Sequence, residues 1–110
     1  MWHVTETLRE LEEAGDDSVV LELIDCFQDD TASRFERLND ALARLDDVPV
    51  KEEAHSIKGS ARQMGAEALA NLCQAVEAHA PEKNWRELES QVNQAEMSFA
   101  EARLAMSEYV

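Results

Sequence analysis

From residue 20 to residue 45 the chain repeats one pattern. Val20, Ile24, Phe27, Thr31, Leu38, Leu42 and Leu45 follow one another at helical spacing, and Phe35 lies close to the same stripe. Steps of three and four residues belong to one face of an α-helix, whereas a strand would alternate every second residue. The spacing predicts an amphipathic helix over about 17–45. Such a helix is stable only when other elements cover its apolar face, so the chain must supply further helices.

The rest of the sequence supplies them. "DDVP", residues 46 to 49, interrupts the long helix, and Pro49 suits the first turn of a new one, where its missing N–H does no harm. Val50, Ala54, Ile57, Ala61 and Met64 then form the apolar face of a helix over about 50–64, which Gly65 ends. Leu69, Leu72, Cys73 and Val76 face inward from a helix over about 66–80, closed by Pro81. Trp85, Leu88, Val92, Ala95, Phe99, Ala102 and Met106 mark a last helix over about 83–108. Ahead of all of these, Val4, Leu8 and Leu11 predict a short helix over about 5–14, with Gly15 behind it as a C-terminal stop. Only 3 glycines and 2 prolines punctuate the 110 residues, and no strand pattern or internal repeat is present. The expected fold is all-α and single-domain over 1–110: an antiparallel up-down four-helix bundle with a short additional N-terminal helix.

Charge narrows the partners. The formal net charge is −14, which repels nucleic-acid phosphate and anionic lipid. No apolar run is long enough to cross a membrane, so no membrane contact is expected of this domain. The 2 cysteines, Cys26 and Cys73, fall within predicted helices and form no CxxC pair, so buried free thiols and a reducing, cytoplasmic compartment are expected. No glycine-rich nucleotide motif occurs, so no autophosphorylation from ATP is expected.

One segment does not fit a purely structural reading. In "AHSIKGSARQMGA", residues 54 to 66, Gly59 sits inside a helix, where glycine costs roughly 0.8–1 kcal/mol relative to alanine. On a helical wheel, Gly59 is displaced from His55 by about 40°, Arg62 by about 20° the other way and Lys58 by about 60°. These four share one face, away from the stripe of Ala54, Ile57, Ala61 and Met64. His55 is therefore expected to point to solvent, with cations beside it and Gly59 leaving space one turn along. A surface histidine, a surface lysine and a helical glycine are each ordinary; their conjunction in so acidic a chain is not. His3 and His79 lack such surroundings. His79, near the end of its helix, suits a cation's place at the C-terminal dipole.

The segment resembles the signature of histidine-containing phosphotransfer (HPt) domains: a histidine, any residue, an aliphatic residue, Lys-Gly, small residues, and a second glycine six residues after the first. Here these are His55, Ile57, Lys58, Gly59, Ser60, Ala61 and Gly65. "ALANLCQAVE", residues 68 to 77, is similar to the family's next helix. The only departure is Ile57 where leucine is commoner. The resemblance implies that His55 accepts a phosphoryl group from the aspartyl phosphate of a receiver domain and passes it to another receiver aspartate. Lys58 would assist electrostatically, Gly59 would give steric clearance, and Arg62 is added by geometry alone. It implies response-regulator receivers and a hybrid sensor histidine kinase as partners, a monomer, no cofactor of its own, and Mg2+ carried by the receiver. Two other readings stand beside it. One is an HPt-like docking module that carries no phosphate. The other is a metal-carrying helical bundle, suggested by Glu52-x-x-His55 but lacking the second such pair that these sites use.

Overall fold

The long apolar stripe forms one helix, α1 (Asp17–Ala43). Three more follow in this computed structural model: α2 (Asp47–Met64), α3 (Glu67–His79) and α4 (Trp85–Ser107), with a single 3-10 turn, Ala80–Glu82, between α3 and α4. The structure describes residues 17–108 together with 9, 10, 13 and 15. The short helix expected over about 5–14 falls mostly outside the described residues. All regular structure among the described residues is helical.

Each helix packs on the next, and α4 returns to α1, closing a four-helix bundle. The core is the set of stripes read from the sequence: Val20, Ile24, Phe27, Phe35 and Leu38 from α1, Val50, Ile57 and Met64 from α2, Leu69, Cys73 and Val76 from α3, Leu88, Val92, Phe99 and Met106 from α4. Fully burying one such side chain is worth about 1.5–3 kcal/mol relative to leaving it in water. Phe99 joins α4 to α1 through the rings of Phe27 and Phe35, with centroids 6.1 and 5.7 Å away. Polar pairs run along the seams: Glu53 of α2 accepts from Arg34 (2.9 Å) and Arg37 (2.7 Å) of α1, and Asn39 of α1 donates to Glu96 of α4 (2.7 Å).

The corner between α1 and α2 differs from the sequence reading. The first helix stops at Ala43, so Leu45 leaves the stripe and is 60 % exposed. Leu45 adopts a left-handed conformation (φ 55°), and the N–H of Asp46 donates to the carbonyl of Ala41 (2.9 Å), a helix-ending arrangement usually built on glycine. No glycine marks this stop, so periodicity alone overran it. The next helix starts at Asp47 rather than Val50, because Pro49 is tolerated anywhere in the first turn and does not define the start. The other corner is conventional: Gly65 is left-handed (φ 79°), and the N–H of Ala66 donates to the carbonyl of Ala61 (2.8 Å). The cysteines also divide. Cys73 is buried, and burial pushes its thiol up to about 12, whereas Cys26 is exposed on the outer face of α1, against expectation. No described helix is long and apolar enough to cross a membrane.

Candidate functional site

The inward face of α2 fixes where its outward face points. Ala54, Ile57 and Ala61 have no accessible surface, and this anchoring turns His55 outward, its side chain 66 % exposed. The face then meets α3, whose own buried residues Cys73 and Val76 set Gln74 and Glu77 at the α2–α3 seam.

Glu77 is the centre of the site. One carboxylate oxygen, Oε1, lies 2.9 Å from His55 Nδ1; the other, Oε2, accepts from Lys58 Nζ at 2.6 Å. Lys58 also donates to Gln74 Oε1 at 3.0 Å. A carboxylate that is ionised can only accept, so the hydrogen in the His55 contact belongs to Nδ1. Glu77 is held in that ionised form: the hydrogen bond from Lys58 lowers its pKa, partial burial opposes this, and the His55 contact lowers it again. In neutral His55 the lone pair is therefore on Nε2, which has no partner among the described residues. The imidazole is oriented at one nitrogen and open at the other.

The four residues singled out in the sequence do not act alike. His55 and Lys58 are joined through Glu77. Lys58 is not a free surface cation: its side chain is only 12 % exposed and is committed to α3. Gly59 is exposed, and a Cβ built on it would meet nothing within 4 Å. Close helix packing is therefore not what this glycine serves. Arg62 is exposed and makes no side-chain hydrogen bond or ion pair among the described residues. Glu77 itself was missed. It was visible only as the last residue of "ALANLCQAVE"; a polar residue flanking an apolar stripe gives no hint of which residue on another helix it meets.

His79 makes a different contact. Its Nδ1 lies 2.7 Å from Gln91 Nε2 of α4, and it is half-buried. Among the described residues no group of three His, Cys, Asp or Glu side chains converges on a metal-sized site, and Glu52 is exposed beside His55 rather than turned into the bundle. A shallow depression beside His55 is lined by Val48, Lys51, Glu52, Ser56, Glu77 and Pro81. Val48 is an exposed apolar residue on the same side of α2 as His55.

Residues 22–108 match the family model of the Hpt domain. Among solved structures, the chain is similar to the histidine-containing phosphotransfer protein B of Pseudomonas aeruginosa PAO1: 30% sequence identity, TM-score 0.84, covering 96% of this chain and 92% of that one. No curated protein matches.

Proposed function

Because this chain belongs to the Hpt domain family, we propose that it is a phosphorelay carrier of two-component signalling in which His55 accepts a phosphoryl group from a receiver-domain aspartate and passes it to another. The observation that carries this reading is the state of His55: outward, with Nδ1 held by a carboxylate and Nε2 bare. The similarity to a histidine-containing phosphotransfer protein over nearly the whole chain supports it.

The geometry at His55 suits a direct transfer. The Nε2 lone pair of His55 forms a bond to the phosphorus of the receiver's aspartyl phosphate. The bond from phosphorus to the aspartate oxygen breaks, and its electron pair restores the receiver's carboxylate. Nδ1 keeps its proton, so the ring becomes cationic as the N–P bond forms. Glu77 Oε1 lies against that N–H and compensates the new positive charge. The phosphoryl group brings about −1.5 to −2 of charge, which the neighbouring Lys58 offsets. Transfer onward is the same step in reverse, on a second receiver. Phosphoryl transfer depends on positioning and charge neutralisation more than on covalent chemistry by the protein, so the carrier needs no metal of its own; Mg2+ belongs to the receiver's acidic pocket. Gly59 keeps the approach to Nε2 clear.

The same reading takes the helices as antiparallel, up and down. The connections over 44–46, 65–66 and 80–84 are too short to carry the chain back along a helix before the next begins. It takes the domain as a monomer that meets receivers, and a hybrid sensor kinase where one is the source of phosphate.

The test is incubation with a phosphorylated receiver domain and Mg2+. The proposal expects an acid-labile, base-stable phosphate on this chain. A module that only docks on receivers binds and acquires none.

A further inference from the structure

The structure places one carboxylate between the two groups that the proposed transfer uses. Glu77 holds His55 through Oε1 and Lys58 through Oε2, at 2.9 and 2.6 Å. In the resting chain, then, the cation beside His55 is already neutralised. We propose that Lys58 changes partner during the reaction: it leaves Glu77 Oε2 for the phosphoryl group on Nε2, and Glu77 turns from a lysine acceptor into the counter-charge of the cationic ring. Glu77 is thus a positioning residue with two separable tasks. This rests on the phosphotransfer reading of His55 given above.

Three observations support the exchange. Lys58 and His55 lie three residues apart on one helix, so a phosphoryl group on His55 comes within reach of the flexible lysine stem. A Cβ built on Gly59, one turn along from His55 on the same exposed face, would meet nothing within 4 Å, so a phosphoryl group on the ring finds open space beside it. The phosphoryl group also carries more charge than the single carboxylate and several acceptor oxygens, so it competes well for an ammonium. On the other side of the exchange, Glu77 does not lose its ionic partner. As Lys58 departs, the ring it already touches becomes positive. Charge on both sides stays paired through the step, without a side chain entering from elsewhere. Gln74 Oε1, 3.0 Å from Lys58 Nζ, holds the lysine near the seam in either state.

A static ion pair and an exchanging one give opposite signs in a double-mutant cycle. The chains are wild type, Lys58→Met, Glu77→Gln and the double variant, each first shown to fold by thermal melting; Lys58→Gln replaces Lys58→Met if the latter fails to fold. Glutamine keeps an acceptor for His55 Nδ1–H but no charge for Lys58. Each chain is equilibrated with the same phosphorylated receiver domain and Mg2+, and the phosphohistidine fraction is measured. With partner exchange, Glu77 competes with the phosphoryl group for Lys58. Removing Lys58 therefore lowers the fraction more in the Glu77→Gln background than in wild type, by about fivefold. With a static pair, Lys58 matters only through Glu77, and its effect shrinks or vanishes in the Glu77→Gln background; that result overturns the proposal. Absence of phosphate on the wild-type chain is a different failure, since it removes the phosphotransfer reading itself.

Discussion

Two histidines of this chain reach across a helix–helix seam with the same ring atom, and the difference between them is instructive. His55 Nδ1 meets the carboxylate of Glu77, and His79 Nδ1 meets the carboxamide of Gln91. A carboxamide offers a donor on one side and an acceptor on the other, so Gln91 suits either neutral tautomer of His79. A carboxylate only accepts, so Glu77 imposes one tautomer on His55 and leaves Nε2 with its lone pair. Exposure separates them too: His79 is half-buried, while most of the His55 side chain is open. Lys58 completes one site, and the His79 contact includes no cation. On the proposed reading, His55 can carry a group because its opposite nitrogen is held by an obligate acceptor, a cation stands near, and the space beside it is empty. One hydrogen bond alone makes a histidine structural.

The largest effect expected from breaking this contrast is loss of the ring. His55→Gln should abolish labelling by a phosphorylated receiver, with the helical circular dichroism signal near wild type, while His79→Gln should label normally. Labelling of His55→Gln at wild-type level would reverse the assignment. Next in size is the empty space. Gly59→Leu should melt at or above the wild-type temperature, since glycine is the costlier residue in a helix by about 1 kcal/mol, yet transfer roughly a hundredfold more slowly, as displaced reacting groups do. A variant that melts lower but transfers normally once folded would refute the clearance role. Lys58→Ala should slow transfer in both directions by about tenfold, equivalent to about 1.4 kcal/mol in the barrier. Stopped-flow or quench-flow rates equal to wild type would make Lys58 a bystander. The smallest effect is on stability. The pKa of Glu77 is lowered in the fold, first by the Lys58 hydrogen bond, so its contribution is present above the usual carboxylate range and is lost as pH falls through and below that range. Wild type should exceed Glu77→Gln in stability by about 1 kcal/mol or less at neutral pH, a difference that denaturant melts should show closing in acid. A gap that persists in acid would assign it to packing instead.

Much of this was legible before any coordinates. The stripes of three and four residues named the core of every described helix because burial follows period, and helical spacing put His55, Lys58, Gly59 and Arg62 on one face. What the sequence hid depends on contacts between helices or on unusual backbone. Leu45 ended α1 in a left-handed conformation that glycine normally signals, so the stripe ran on past the real stop. Cys26 sits between Ile24 and Phe27 in sequence, yet about 100° around the axis from Phe27, which turns it outward. Lys58 reads as a free cation on a helical wheel, because a wheel shows one helix; its partners Gln74 and Glu77 come from the next. Glu77 was hidden for the same reason. Relative register between α2 and α3 is set where their buried faces meet in the core, and no local pattern encodes it.

The central claim is that phosphate resides on Nε2 of His55, with Nδ1 protonated against Glu77. Nitrogen-15 and phosphorus-31 NMR of the ring-labelled wild-type chain, before and after transfer from a phosphorylated receiver, tests it most directly. The account predicts a hydrogen on Nδ1 of the resting His55 ring, and a single nitrogen–phosphorus coupling at Nε2 of His55 afterwards. A coupling at Nδ1, a phosphorylated His3 or His79, or a resting His55 ring with its hydrogen on Nε2 would contradict it.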